Sequence, residues 1–188
     1  ARAGTMVAVT KSLFSTYDPA AGPAEFLGRA AQAVRRMELG RMGMALLLAR
    51  LDPPGAGPRR LTVATAGMPP VLVRRGAEGG GEGGAVADGD VAEVYAPGMP
   101  LGGLDTAYSE TTVEVAPGDT VLLTTDGFPE LADPAGDPLG YGELRRLVAA
   151  APAATPDDLV RHLADAITAR TAGGSPGDDV TFVVVRVA

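Results

Sequence analysis

Apolar residues recur along this chain at two different spacings, and the order of those spacings limits the folds open to it. Met6, Val9, Leu13 and Tyr17 fall at helical intervals with Phe14 widening the stripe, so residues 3–17 are expected to form an amphipathic helix. A second helix is expected to begin at Pro23, a good first helical residue, and to turn Leu27, Ala30, Ala31, Val34 and Met37 inward. The period then changes. Met44–Leu51 is an apolar run broken only by Arg50 and closed by Pro53-Pro54-Gly55, which favours a strand leading into the alternating Leu61, Val63 and Thr65. Val71–Val73, Val91–Tyr95, Thr111–Val115 and Thr120–Thr125 are further strands by pattern, punctuated by Pro97-Gly98 and Pro117-Gly118-Asp119. Helices return near 141–150 and 156–171, the second with Thr155 as cap, Pro156 in first position and Asp158 in the first turn. Its inward stripe is Leu159, Leu163, Ala166 and Ile167, and the valine-rich Val180–Val187 is expected to be a strand buried on both faces. Two helices, a run of strands, two helices and a strand point to an α+β layered domain, not a parallel nucleotide-binding sheet.

Composition removes much ordinary chemistry. The 188 residues contain no cysteine and a single histidine, His162, which leaves no thiolate nucleophile, no disulfide framework and no His-rich metal cage. The length suits one domain, and 46% hydrophobic with 21% charged residues are globular values. A net charge of −7 argues against nucleic acid or an anionic membrane as the main partner. No apolar run reaches the roughly 18 residues needed to span a bilayer. Residues 1–5, Ala-Arg-Ala-Gly-Thr, do not read as a secretory signal, and the lack of cysteine is compatible with a cytoplasmic location. Residues 76–90, nearly all Gly, Ala, Glu and Asp, are expected to form a flexible surface loop; its Gly79-Gly80-Gly81 precedes no helix and carries no phosphate-loop lysine.

Chemistry therefore falls to carboxylates. Asp126 closes the 120–125 strand and is followed by Gly127; Asp178 follows Gly174-Ser175-Pro176-Gly177 and precedes Asp179 and the last strand. Carboxylates converging from strand ends repel one another unless a divalent cation relieves that cost. Oxygen-only ligation selects hard ions such as Mg²⁺ or Mn²⁺, which can lower the pKa of a held water from about 15.7 toward neutrality. An Asp-Gly pair after a strand also serves as a plain turn, and Gly-Asp-Asp before a strand as a solvated cap. The spacing alone leaves both readings open.

The segment Gly118-Asp119-Thr120-Val121-Leu122-Leu123-Thr124-Thr125-Asp126-Gly127-Phe128-Pro129-Glu130 resembles the "TDG" strand of the metal-dependent serine/threonine protein phosphatases, the PPM or type-2C family. The bacterial branch typified by stage II sporulation protein E and the stress-response sigma-regulator phosphatases is the nearest in pattern. Gly177-Asp178-Asp179-Val180-Thr181 resembles that family's closing motif, and Ala66-Gly67-Met68-Pro69-Pro70 and Gly98-Met99-Pro100-Leu101-Gly102 are lesser matches. The resemblance implies a four-layer α-β-β-α sandwich of two mainly antiparallel sheets with flanking helices. It implies that Asp126 and Asp178 are metal ligands, that Asp179 orients the ligand or local water, and that Gly127 and Glu130 stand beside the site, Glu130 with the weakest case. Two divalent cations, Mn²⁺ or Mg²⁺, would activate the water that hydrolyses phosphoserine or phosphothreonine, with no covalent intermediate. The implied partner is a phosphorylated regulatory protein of the anti-sigma-antagonist kind, with a sensor domain upstream in the full protein.

Two departures bear on activity. The family's N-terminal motif, an Asp followed by Gly-His-Gly, lies ahead of the first long helix, where this sequence has only its opening residues. The expectation is an N-terminally truncated domain, short of the bridging Asp, that binds metal poorly as it stands. The family's usual His in the Ala-Gly-His-Pro stretch is Met68, which cannot ligate a hard ion and is expected to be structural. The alternative reading is a catalytically silent scaffold that retains the fold. His162 and Ser175 are expected to be a partly exposed helix residue and a turn residue, Asp133 and Asp137 the rim of a turn, and Met6, Met37, Met42 and Met44 core.

Overall fold

In the computed structural model, residues 2–38, 42–55, 58–76, 91–103, 107–152 and 155–188 are described. The expected loop over 76–90 lies, apart from Gly76, outside the described residues. Contacts divide the chain into two compact units, each pairing a sheet with helices.

The first unit carries α1 (Arg2–Phe14), α2 (Pro23–Arg36), β1 (Leu46–Leu51), β2 (Arg59–Ala66) and most of β5 (Thr111–Val115). Its sheet has the order β1-β2-β5, with β1 and β2 antiparallel from Leu46↔Ala66 to Leu51↔Leu61. The predicted stripe of α2 is the buried one: Leu27, Ala30, Ala31 and Val34, joined by Phe26, meet Ala64, Ala66 and Met6. Met37, Met42 and Met44 pack at the margin of that cluster. Helix α1 stops at Phe14, three residues short of the expected end. There the Ser15 and Thr16 hydroxyls take the carbonyls of Ser12 and Leu13, and the backbone tightens to Tyr17 N–Phe14 O at 3.1 Å. Tyr17 still stacks on Phe14 and meets Phe26 edge-on, but Phe14 itself is half exposed and does not widen the buried stripe. Central strand β2 is buried throughout Leu61–Ala66, beyond the expected alternation.

The second unit carries β3 (Val71–Arg74), β4 (Val91–Val94, all but its last residue), β6 (Thr120–Thr124), α3 (Gly140–Ala150), α4 (Pro156–Arg170) and β7 (Phe182–Arg186). Its sheet order is β4-β3-β6-β7, with β3 and β7 both antiparallel to β6. Leu144 and Val148 of α3 and Leu159 and Leu163 of α4 close over Leu72, Leu122 and Phe128. Helix α4 starts as predicted: the Thr155 Oγ1 accepts from the Asp158 amide at 3.2 Å, and Pro156 fills the first position. The C-terminal end of α3 meets a buried cation, since Arg74 donates to the carbonyls of Ala151 (2.7 Å) and Pro152 (3.3 Å), the polarity the helix dipole favours. Burial first, and Arg186 second, draw the Arg74 pKa below its ordinary value. The turn into β6 is held by Asp119, a buried carboxylate accepting from the amides of Gly76 (2.8 Å) and Ala116 (3.0 Å) and from Arg75 (2.8 Å).

The final strand departs from expectation. It begins at Phe182, and Val183 and Val185 are 53% and 38% exposed instead of buried on both faces. As the last strand in its sheet's order, β7 turns only Phe182 and Val184 toward the helix-covered cluster. Among the described residues no helix is long and apolar enough to cross a membrane. The two antiparallel sheets, each with its helices, are an α+β arrangement, as expected.

Candidate functional site

All the acidic candidates lie in the second unit, where β6 ends and the chain approaches β7. The last ladder pair is Thr124↔Phe182, and both strands end there. Thr125 keeps them together past that point: its amide donates to the Thr181 carbonyl at 3.0 Å, and its Oγ1 accepts from the Thr181 amide at 3.1 Å. The same hydroxyl lies 3.4 Å from the carbonyls of both Asp179 and Thr181, either of which can take its proton. Thr124 adds a further bond, Oγ1 to the Thr181 carbonyl at 3.1 Å. Asp126 is thereby fixed immediately beside the Asp178-Asp179 turn, with its side chain in solvent.

Gly127 shows why no larger residue follows Asp126. A Cβ there would stand 2.4 Å from the carbonyl oxygen of Asp179 and 3.2 Å from its carbonyl carbon. The two acidic turns meet at van der Waals contact through backbone, and a side chain would part them. Phe128, fully buried, anchors the next turn with its ring 5.7 Å from that of Phe182. Glu130 reaches Asp126 through its backbone amide, which donates to the Asp126 carbonyl at 3.0 Å, while its side chain is exposed. Asp178 is exposed, and its Oδ1 accepts from the Asp179 amide at 2.7 Å. The backbone of Asp179 is what touches the TDG turn.

Asp178 and Asp179 border a cleft of about 530 Å³ lined also by Ile167, Ser175, Pro176, Gly177 and Val180. Ser175 is an exposed turn residue. His162 stands on α4 half-buried, its Nε2 enclosed and without a hydrogen-bond partner among the described residues. The Asp133 turn is tied to α4 by Arg170, which donates to the carbonyls of Leu131 (3.0 Å) and Asp137 (2.6 Å). The two lesser motifs meet each other in the first unit: the Gly67 amide donates to the Gly98 carbonyl at 2.7 Å, and Met68 follows, half-buried.

The donor chemistry suits a hard cation. Asp126 and Asp178 offer exposed carboxylate oxygens, and among the described residues neither they nor Asp179 form an ion pair that would compete. The number of donors is small, because no group of three or more His, Cys, Asp or Glu residues converges among the described residues. Two carboxylates fit an ion of the Mg²⁺ type that keeps several of its waters. They do not make a cage for two. Sequence reasoning named the carboxylates and missed Thr125. The signal was there in Thr124-Thr125, two hydroxyls ending an otherwise apolar strand.

The family model for stage II sporulation protein E (SpoIIE) matches residues 1–188. Comparison with curated proteins gives no match. Among solved structures, the SiaA-PP2C domain of Pseudomonas aeruginosa is similar at TM-score 0.75 and 22% identity, over 98% of this chain and 69% of that one. The PP2C phosphatase domain of SpoIIE from Bacillus subtilis, solved with a fragment of its regulatory domain, gives TM-score 0.72 and 18% identity over 99% of this chain; the chain spans 49% of that one. RsbX in complex with magnesium gives TM-score 0.55 and 16% identity over 96% of this chain and 71% of that one. At these identities the likeness is one of fold.

Proposed function

The chain belongs to the SpoIIE family of PP2C-like phosphatase domains, and from that premise we propose that it forms one hydrolase domain that removes phosphate from phosphoserine or phosphothreonine on a regulatory protein. The observation that carries the reading is the union of the two acidic turns, Asp126 against Asp178-Asp179, through Thr125 and the bare Cα of Gly127. Asp126 and Asp178 would hold a divalent cation, Mn²⁺ or Mg²⁺, as the magnesium complex of RsbX suggests by analogy. Such an ion would supply Lewis acidity toward water and phosphate, a role that needs no histidine base in a chain with a single histidine. The chain's own residues set the geometry. The Thr125 latch ties the backbone of the two acidic turns together, and Phe128 locks the TDG turn into the core. The cleft beside Asp178 and Asp179 is where a phosphorylated side chain would enter. A partner of the anti-sigma-antagonist kind, in the cytoplasm, is the substrate this branch of the family suggests.

A second reading, a scaffold that binds without catalysis, is favoured by the small number of converging donors. The decisive experiment measures hydrolysis of p-nitrophenyl phosphate and of a phosphoserine peptide with Mn²⁺ or Mg²⁺ present. Asp126→Asn and Asp178→Asn are expected to lower kcat/KM by a hundredfold or more, about 2.7 kcal/mol. Equal activity in these variants removes the site assignment. Absence of both hydrolysis and Mn²⁺ binding in the protein extended upstream of residue 1 favours the scaffold instead.

A further inference from the structure

We propose that Thr125 is a positioning residue whose hydroxyl replaces the last rung of the β6–β7 ladder and so sets the separation of the two acidic turns. The inference rests on the reading of Asp126 and Asp178 as cation ligands and adds to it the element that controls their spacing.

In an antiparallel pair, each amide that faces the neighbouring strand normally finds a backbone carbonyl. At the mouth of the β6–β7 pair the Thr181 amide finds the Thr125 Oγ1 instead, at 3.1 Å. The side-chain oxygen keeps the Thr181 amide satisfied just past the end of the ladder, where the Thr125 carbonyl does not serve it. The hydroxyl also has a proton to give, and the Asp179 and Thr181 carbonyls both stand 3.4 Å away. One group thus accepts from one side of the Asp178–Thr181 segment and donates to the other. Gly127 sets the closest approach from the opposite direction, because its Cα rests on the Asp179 carbonyl. The acidic turn is held between a tether and a stop. Neither contact involves a carboxylate, so the tether and the stop leave Asp126 and the Asp178 Oδ2 to a ligand, while the Asp178 Oδ1 accepts from the Asp179 amide at 2.7 Å.

Valine has the shape of threonine without the donor or the acceptor, whereas serine keeps both. Removing a group that orients metal ligands commonly weakens metal affinity ten- to hundredfold. Thr125→Val is therefore expected to raise the Mn²⁺ dissociation constant at least tenfold, and Thr125→Ser to restore it to within about threefold of the unaltered protein. Mn²⁺ binding is followed by electron paramagnetic resonance, and amide hydrogen exchange is recorded on the same samples without metal. In Thr125→Val, exchange is expected to rise at Thr181 and its neighbours while Leu122 and Val184, deeper in the ladder, keep their protection. That local pattern separates a tether from general destabilisation.

Unchanged exchange at Thr181 in Thr125→Val overturns the tether whether or not metal binds. Faster exchange with unaltered Mn²⁺ affinity overturns the positioning role and leaves the ligand assignment standing. If the unaltered protein shows no Mn²⁺ binding that Asp126→Asn abolishes, the ligand reading itself fails and the positioning role falls with it. A serine variant that behaves like valine shows that the methyl, not the hydroxyl, is what matters, which also overturns the proposal.

Discussion

Gly127→Ala is the smallest change that should disturb both the packing and the chemistry of the site. The added Cβ would stand 2.4 Å from the Asp179 carbonyl oxygen, whereas real Cβ contacts essentially never fall below 3.0 Å. One side must therefore yield by at least about 0.6 Å, and neither side is a flexible chain end. The carbonyl is backbone, tethered by Thr125, and the glycine is held by the Thr125–Phe128 turn and the buried Phe128 ring. Forcing such a shift in packed structure costs about 1–3 kcal/mol. Urea denaturation should show that loss, and thermal melting should fall by roughly 2–4 °C per kcal/mol in a chain of this size. A displacement of that order exceeds the roughly 0.5 Å within which a binding constellation must be held, so Mn²⁺ affinity should fall as well. Gly177→Ala is the internal control: nothing lies within 4 Å of its Cβ, and its stability should stay within about 0.5 kcal/mol. A Gly127→Ala variant as stable as the original protein, with the same Mn²⁺ affinity, refutes the claim of backbone contact between the turns.

Asp119→Ala removes a carboxylate that is 5% exposed and leaves the Gly76 and Ala116 amides without their acceptor; a loss of about 2–3 kcal/mol is expected by urea titration, and a loss below about 1 kcal/mol would contradict it. Asp133 is held below the usual carboxylate pKa first by the amide of Asp137, then by that of Ala135 and by Arg170. A folded pKa below the unfolded one means stability that is complete above the unfolded value and is lost as pH falls through the folded one. Asp133→Asn should therefore show a shallower loss of stability below about pH 4; acid limbs that superimpose would exclude this linkage.

Much of this protein was legible in the sequence because much of it is decided locally. Pro23 and Pro156 start their helices where the spacing places them, and Thr155 caps the second, since a cap acts within one turn of the residues it satisfies. Asp126 was legible as a carboxylate just past a strand end because its strand is marked locally, whereas Asp178 lies in the approach to a strand that begins only at Phe182. What sequence could not state was which strand neighbours which. Val180–Val187 reads as doubly buried by composition, yet the sheet order puts β7 at an edge and leaves Val183 and Val185 exposed. The length of α1 was lost to a competition within its last turn, where two hydroxyls take helix carbonyls.

The site divides along the same line. The sequence by itself determined the helices, the strands and the carboxylates at their ends, because propensity, capping and periodicity act over a few residues. The tertiary structure alone decided that residues 125 and 181, far apart in the chain, share a hydrogen bond, and that Gly127 is small because the Asp179 carbonyl lies against it. Those are consequences of strand pairing, and pairing is selected by the burial of whole faces, which no local window contains.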